Sequence, residues 1–190
     1  MLAETIGGTG LAFAFGSVSV IIWLYLLFFR GEFWHAEHRL SSKYSQLGPW
    51  PDVAIVIPAR NEQGVIGRTL SSLQNQDYPG HISIIVVNDN SEDGTEEEIQ
   101  NTRDMRTELL SGRPLPEGWT GKLWALQQGI DEIYRRGGLP SFLLLSDADI
   151  FHPQESVRQL VLHAEEGALE LVSLMARLNC RSAWEVMLIP

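Results

Sequence analysis

Asp147 and Asp149 stand two residues apart, directly after the apolar run Phe142-Leu143-Leu144-Leu145. A short, wholly apolar run reads as a buried strand. In an extended backbone, residues i and i+2 leave from the same face. The two carboxylates therefore emerge side by side from the end of the strand. Like charges at that separation repel unless a proton or cation sits between them. Hard divalent cations take oxygen ligands, and Mg²⁺ is typically held by one or two carboxylates together with substrate phosphates. The chemistry this spacing suits is the holding of a metal–diphosphate complex. Ordinary surface turns also contain Asp-x-Asp, so the reading depends on what else converges on the same place.

Two further polar clusters do converge. Val53-Ala54-Ile55-Val56-Ile57 reads as a buried strand stopped by Pro58, and Pro58-Ala59-Arg60-Asn61-Glu62 follows it. Ile82 to Val87 reads as a second buried strand, followed by Asn88-Asp89-Asn90-Ser91-Glu92-Asp93-Gly94-Thr95. Helical spacing is expected from Glu62 to Leu73, with Val65, Ile66, Leu70 and Leu73 on one side, and a polar surface helix from Glu92 to about Thr102. Thr107 to Leu110 suits a short strand. Gly121 to Arg136 suits a helix with Leu123, Leu126, Ile130 and Ile133 in a stripe, ended by Gly137-Gly138. A helix from Pro153 to Glu166 and a last strand from Leu169 to Met175 complete the pattern. Strands alternating with helices predict an α/β fold with a mainly parallel sheet. In such sheets ligands bind beyond the carboxyl ends of the strands, where all three polar clusters fall. Neither G-x-G-x-x-G nor G-x-x-x-x-G-K-[ST] occurs, so the dinucleotide fingerprint and the P-loop are both missing.

The chain has 190 residues and a formal net charge of −10, which argues against a nucleic-acid partner. Its single cysteine, Cys180, rules out a disulfide framework and reads as a small buried apolar residue. No charge occurs from Thr5 through Phe29, and Leu11 to Phe29 is almost wholly apolar. A helix of that extent reaches roughly 30 Å, the thickness of a hydrocarbon core. The start Met1-Leu2-Ala3-Glu4 lacks the positive charge of a signal peptide. One transmembrane helix over residues 1–30 is therefore expected, with a juxtamembrane linker over 31–51. Arg30, Arg39 and Lys43 follow the span and only Glu4 precedes it, which places the remainder in the cytoplasm by the positive-inside rule.

Taken together, V-A-I-V-I-P-A-R-N-E, V-V-N-D-N-S-E-D-G-T and L-L-L-S-D-A-D-I resemble the three amino-terminal signatures of the family 2 glycosyltransferases of GT-A fold. The resemblance covers about residues 52 to 176. The stretch Leu115 to Gly129, Gln76-Asp77-Tyr78-Pro79-Gly80 and the apolar amino terminus are further similar to glycosyltransferases associated with bacterial hopanoid biosynthesis. The resemblance implies a GT-A domain over 52–178, a nucleoside-diphosphate-sugar donor (a UDP-sugar favoured), Mg²⁺ or Mn²⁺, a lipid or lipid-linked acceptor, and a bacterial inner-membrane location. It implies that Pro58, Ala59 and Glu62 line the nucleotide pocket and that Asp89 accepts from a uracil ring N–H. It sets Lys122 beside the diphosphate, Asp147 near the ribose or the metal, and Asp149 on the metal. Asn88-Asp89 departs from the family's usual Asp-Asp, which puts one polar contact in doubt.

Several of these residues have plainer readings. Asn88, Asn90 and Ser91 suit a turn, Asp93 a helix start, and Trp119 and Trp124 packing. Arg60 suits a phosphate contact or the surface equally, and His152 is open as a ligand. Inverting transfer needs a general base, and the acidic residue that supplies it in the family lies downstream of the D-x-D strand. After Met175 the only acid is Glu185, so no base is assigned. The expectation is an amino-terminal portion of a longer enzyme, with residues 179–190 beginning an acceptor or membrane-associated region. The alternatives are a donor-binding but inactive membrane scaffold, and a nucleotidyltransferase that makes the activated sugar.

Overall fold

The computed structural model describes residues 2–29, 48–137, 140–174, 176, 182 and 184. The chain divides into two compact units, Met1–Arg39 with Arg177–Pro190, and Leu40–Ala176. Most of the expected linker, Met175, Cys180 and Glu185 lie outside the described residues.

In the first unit, α1 runs from Leu2 to Phe29. The described side chains from Phe13 onward are exposed, among them Phe13, Phe15, Trp23 and Phe29. Tyr25 and Phe29 stack one turn apart, ring centroids 5.9 Å from each other. The expected helix is thus present. Among the described residues, however, no helix is long and apolar enough to cross a membrane. Within α1 the side chains are described without a break only from Phe13 to Leu26.

The second unit is built on four parallel strands. These are β1 (Val53–Ala59), β2 (Ile82–Asn88), β3 (Thr107–Ser111) and β4 (Phe142–Leu145), in the order β3-β2-β1-β4. The helices are α2 (Ile66–Gln74), α3 (Thr95–Thr102), α4 (Gly121–Arg135) and α5 (Ser156–Gly167). β1 is apolar throughout and β2 nearly so, Ser83 and the terminal Asn88 excepted, because both of their faces are covered. Val53, Ile55 and Ile57 pack with Ile84 and Val86 against Ile66, Leu70 and Leu73 of α2, Ile99 of α3, and Val157 and Val161 of α5. Ala54, Val56, Ile85 and Val87 meet Ala125 and Ile133 of α4 on the other face. Of the expected stripe of α4, Leu126, Ile130 and Ile133 pack into this second cluster and only Leu123 is exposed; Ala125, Gln128 and Gly129 are buried beside them. The helix lies close on the sheet at Gly129, where a Cβ would lie 2.4 Å from Val56 Cγ1. Gln128 is buried with its amide satisfied. It accepts from the Arg113 N–H at 2.7 Å and donates to the Trp124 carbonyl at 3.2 Å.

Pro58 does not stop β1, contrary to expectation. It lies inside the strand, paired with Val87. The hydrogen-bond parity explains why a proline is tolerated there. The carbonyls of Asp52 and Val56 accept from Phe142 and Ser146 on the β4 side, whereas the Ala59 carbonyl accepts from Asp89 on the β2 side. Even-numbered residues of β1 therefore face β4, and so would the N–H that Pro58 lacks. Pairing with β4 ends at Val56–Leu145, while pairing with β2 continues to Ala59–Asn88. β1 and β4 part where the next ladder bond has no donor.

The strand expected over Leu169–Met175 is absent as far as Leu174. Ala168 ends α5 in the left-handed conformation, and the chain beyond it finds no ladder partner among the described residues. Leu171 and Leu174 stay 85% and 48% exposed, so an apolar-rich segment without a neighbouring strand does not form one here.

Candidate active site at the strand ends

A cleft of about 470 Å³ opens where β1 and β4 separate, lined by Pro58, Ala59, Arg60, Glu62, Asp89, Gly121, Lys122, Asp147, Ala148 and Asp149. Every donor or metal residue that the resemblance implies is among them. They arrive from four places: the end of β1 and the loop after it, Asp89 directly after β2, the first turn of α4, and the loop after β4.

Asp89 is buried and its N–H donates to the Ala59 carbonyl at 2.8 Å, which fixes it against the end of β1. Arg60 Nη1 lies 3.6 Å from Asp89 Oδ2, with the guanidinium mostly exposed. Lys122 Nζ lies 2.7 Å from Asp147 Oδ1, bridging the start of α4 to the end of β4. The amino end of α4 can reach this place because residue 121 is glycine. A Cβ there would lie 2.7 Å from Asp89 Oδ2. An α-helix amino terminus favours anions, through its free N–H groups and its dipole.

The lining carries four carboxylates against two cations. That excess appears in Glu62, whose carboxyl is raised above the usual range first by burial, then by Asp149, Asp93 and Asp147, with Lys122 opposing. Among the described residues no group of three or more His, Cys, Asp or Glu side chains is set to hold a metal by itself. Asp147 and Asp149, with Glu62 nearby, make an oxygen-only donor set short of a full shell. This suits a hard cation that keeps water and phosphate ligands.

The first loop is held by side chains of the second loop and of α3. Asn61 N–H donates to Ser91 Oγ at 3.0 Å, Glu62 N–H to Thr95 Oγ1 at 2.7 Å, and Gln63 N–H to Asp93 Oδ2 at 3.2 Å. Gly64 and Gly67 N–H groups donate to the two carboxylate oxygens of Glu98 at 2.5 and 2.9 Å. In return Glu92 N–H donates to Asn61 Oδ1 at 2.9 Å. Asn61 and Asn90 both take the left-handed backbone conformation, at φ of 55° and 54°. α2 consequently starts at Ile66 rather than Glu62, because residues 61–64 are committed to this lacing.

The plainer readings hold for the turn residues. Asn88 Oδ1 accepts from Ser91 N–H at 3.0 Å and Asn88 Nδ2 donates to Glu96 at 3.1 Å, so its amide is used in the turn. Asp93 Oδ1 accepts from Thr95 N–H at 3.0 Å at the start of α3. Trp119 and Trp124 pack edge to face, and the Trp124 indole N–H donates to the Arg113 carbonyl. His152 is mostly buried, with Nε2 2.8 Å from Ser146 Oγ, and burial lowers its pKa. It lines no part of the cleft. Arg60, left open by the sequence, does line it. Gly121 was not foreseen, and only its place directly after Thr120 at a helix start hinted at it.

The sequence profile described as "Glycosyl transferase family 2" matches residues 54–187, and the chain belongs to that family. It is 33% identical over 122 residues to "Probable glycosyltransferase YdaM" of Bacillus subtilis (strain 168), covering 59% of this chain and 29% of that protein. It is 30% identical over 132 residues to "Beta-monoglucosyldiacylglycerol synthase" of Synechocystis sp. (strain ATCC 27184 / PCC 6803 / Kazusa), covering 67% and 26%. The chain thus spans about a third or less of the curated relatives it matches. Among solved structures it is similar to the mannosyltransferase PcManGT from Pyrobaculum calidifontis, at 22% identity and a TM-score of 0.49, over 78% of this chain and 41% of that one.

Proposed function

We propose that this chain holds the donor in a membrane-anchored glycosyltransferase. The enzyme would move a sugar from a nucleoside-diphosphate sugar, a UDP-sugar favoured, to a lipid or lipid-linked acceptor with inversion. The observation that carries the reading is the convergence of Asp89, Lys122, Asp147 and Asp149 on one cleft at the carboxyl ends of parallel strands. Asp89, held rigidly at the end of β2, accepts from the ring N–H of the base. Lys122 and the amino end of α4 face the diphosphate, where lysine acts as a point charge. Asp147 and Asp149 hold Mg²⁺ or Mn²⁺, with Glu62 adding negative charge nearby. Such a cation, when bound, offsets the charge that grows on the departing nucleoside diphosphate. No residue is assigned as general base.

The lipid acceptor is supported by similarity to the glucosyldiacylglycerol synthase. The anchor in a bacterial cytoplasmic membrane, with the second unit on the cytoplasmic side, is supported by α1. That helix carries no charge after Glu4 and displays exposed apolar side chains on all sides. The hopanoid-associated subgroup remains part of this proposal on the Leu115–Gly129 stretch.

Calorimetric titration with UDP, GDP, ADP and CDP in the presence of Mn²⁺, repeated on Asp149→Ala, tests the donor reading. Binding of one nucleoside diphosphate, lost in the variant, is expected. Equal binding by both proteins sinks the metal assignment, and binding of none sinks the donor site.

A further inference from the structure

Thr95 lies outside the cleft lining and is completely buried, yet it touches the donor loop directly. Its Oγ1 lies 2.7 Å from the Glu62 amide nitrogen and 2.5 Å from Asp93 Oδ1. A hydroxyl carries one proton and can both donate and accept. Asp93 is held ionised, its pKa lowered chiefly by the Thr95 hydroxyl, and an ionised carboxylate can only accept. The hydroxyl proton is therefore committed to Asp93, and Thr95 Oγ1 is left to accept from Glu62 N–H. The chain of bonds has one direction, Glu62 N–H to Thr95 to Asp93. Asp93 is itself tied back to the first loop through the Gln63 N–H. The Asp93–Thr95 pair thus grips the donor loop on both sides of the Glu62–Gln63 peptide.

We propose that Thr95 is a positioning residue for the donor site, setting Glu62 in the cleft through its backbone amide. This rests on the donor reading given above. Threonine suits the task, since its methyl fills the buried space while its hydroxyl serves the loop. Valine keeps the branched shape and removes the acceptor, leaving the Glu62 N–H without a partner. Serine keeps the acceptor.

The test uses the full chain and the variants Thr95→Val, Thr95→Ser, Glu62→Gln and the double variant Thr95→Val/Glu62→Gln. Two quantities are read: hydrogen-exchange protection of the Glu62 amide, and the Kd for UDP with and without Mn²⁺. Thr95→Val is expected to lower Glu62 protection about tenfold and to weaken Mn²⁺-dependent UDP binding about tenfold. Thr95→Ser restores both. Added to Glu62→Gln, Thr95→Val costs little more, because the two act through one group. Asp93→Ala, at an exposed site, keeps the test open should Thr95→Val not fold, and is expected to weaken the same binding several-fold. Unchanged Glu62 protection in Thr95→Val, or losses that multiply independently with those of Glu62→Gln, overturn the proposal. Failure of the unaltered protein to bind UDP sinks the donor reading instead, while amide protection still judges the role of Thr95.

Discussion

Lys122 Nζ and Asp147 Oδ1, 2.7 Å apart, join the first turn of α4 to the end of β4 across the mouth of the cleft. The two side chains are 59% and 52% exposed, so water screens the pair and its contribution to stability is about 0–1 kcal/mol. Lys122→Met is therefore expected to leave the thermal midpoint nearly unchanged. Binding of UDP with Mn²⁺ should fall about tenfold or more, since a charge facing a phosphate is lost. Calorimetry beside a melting curve checks both parts.

Gly121→Ala sets two effects against each other. Alanine is favoured over glycine in a helix by about 1 kcal/mol, so the helix itself gains. The added Cβ would lie 2.7 Å from Asp89 Oδ2. Either the Asp89 carboxylate turns away or the helix start shifts, and both disturb the cleft. The expected result is stability within about 1 kcal/mol of the original and a clear loss of UDP affinity, measured by chemical denaturation and calorimetry on one preparation.

Glu62 gives a pH dependence with a defined sign. Its folded-state pKa is raised above the ordinary carboxylate value by burial and by Asp149, Asp93 and Asp147. Just above that ordinary value the folded protein holds a proton that the unfolded chain has lost. Glu62's contribution therefore makes stability fall as pH rises through this window. A cation favours the ionised form, so Mn²⁺-dependent nucleotide binding should strengthen over the same window and release a proton. Titration calorimetry in buffers of different ionisation enthalpy reads that proton, and Glu62→Gln should abolish its release.

His152 acts in the opposite direction. Burial lowers its pKa, so the unfolded chain takes up a proton near pH 6.5 that the folded protein refuses. Stability is then lost as pH falls below about 6.5. His152→Gln removes that titration, and its acid-side stability profile should be flatter than that of the unaltered protein in denaturation followed from pH 7 to pH 5.

Glu98 satisfies the N–H groups of Gly64 and Gly67 before and within the first turn of α2, which lacks a side-chain cap of its own. Glu98→Ala is expected to cost about 1–2 kcal/mol, the range for a lost helix cap. Urea denaturation measures it, and Glu98→Gln should recover most of the loss because it keeps an acceptor.

The sheet was legible because β1 and β2 are apolar on both faces, and fully covered strands announce themselves as unbroken runs. The convergence of the cleft residues was legible for the same reason, since parallel strands place their following loops on one edge. Three features were hidden by pairing that no single segment reveals. Pro58 looked like a stop because its missing N–H could not be assigned to a side of the strand. Leu169 to Leu174 reads as a strand because an apolar-rich segment says nothing about whether a neighbour exists. Glu62 looked helical because Asn61, Gln63 and Gly64 have partners some thirty residues away in sequence.

The parting of β1 and β4 at Pro58 has a consequence for how such a cleft could be lost. An N–H at position 58 would point at the departing chain after Leu145, offering it one more rung. Two backbones that now diverge could then zip together, carrying Ser146 and Asp147 toward the sheet and away from Lys122. The opening begins where one hydrogen is absent, and a ring closed onto its own nitrogen is the side chain that cannot supply it.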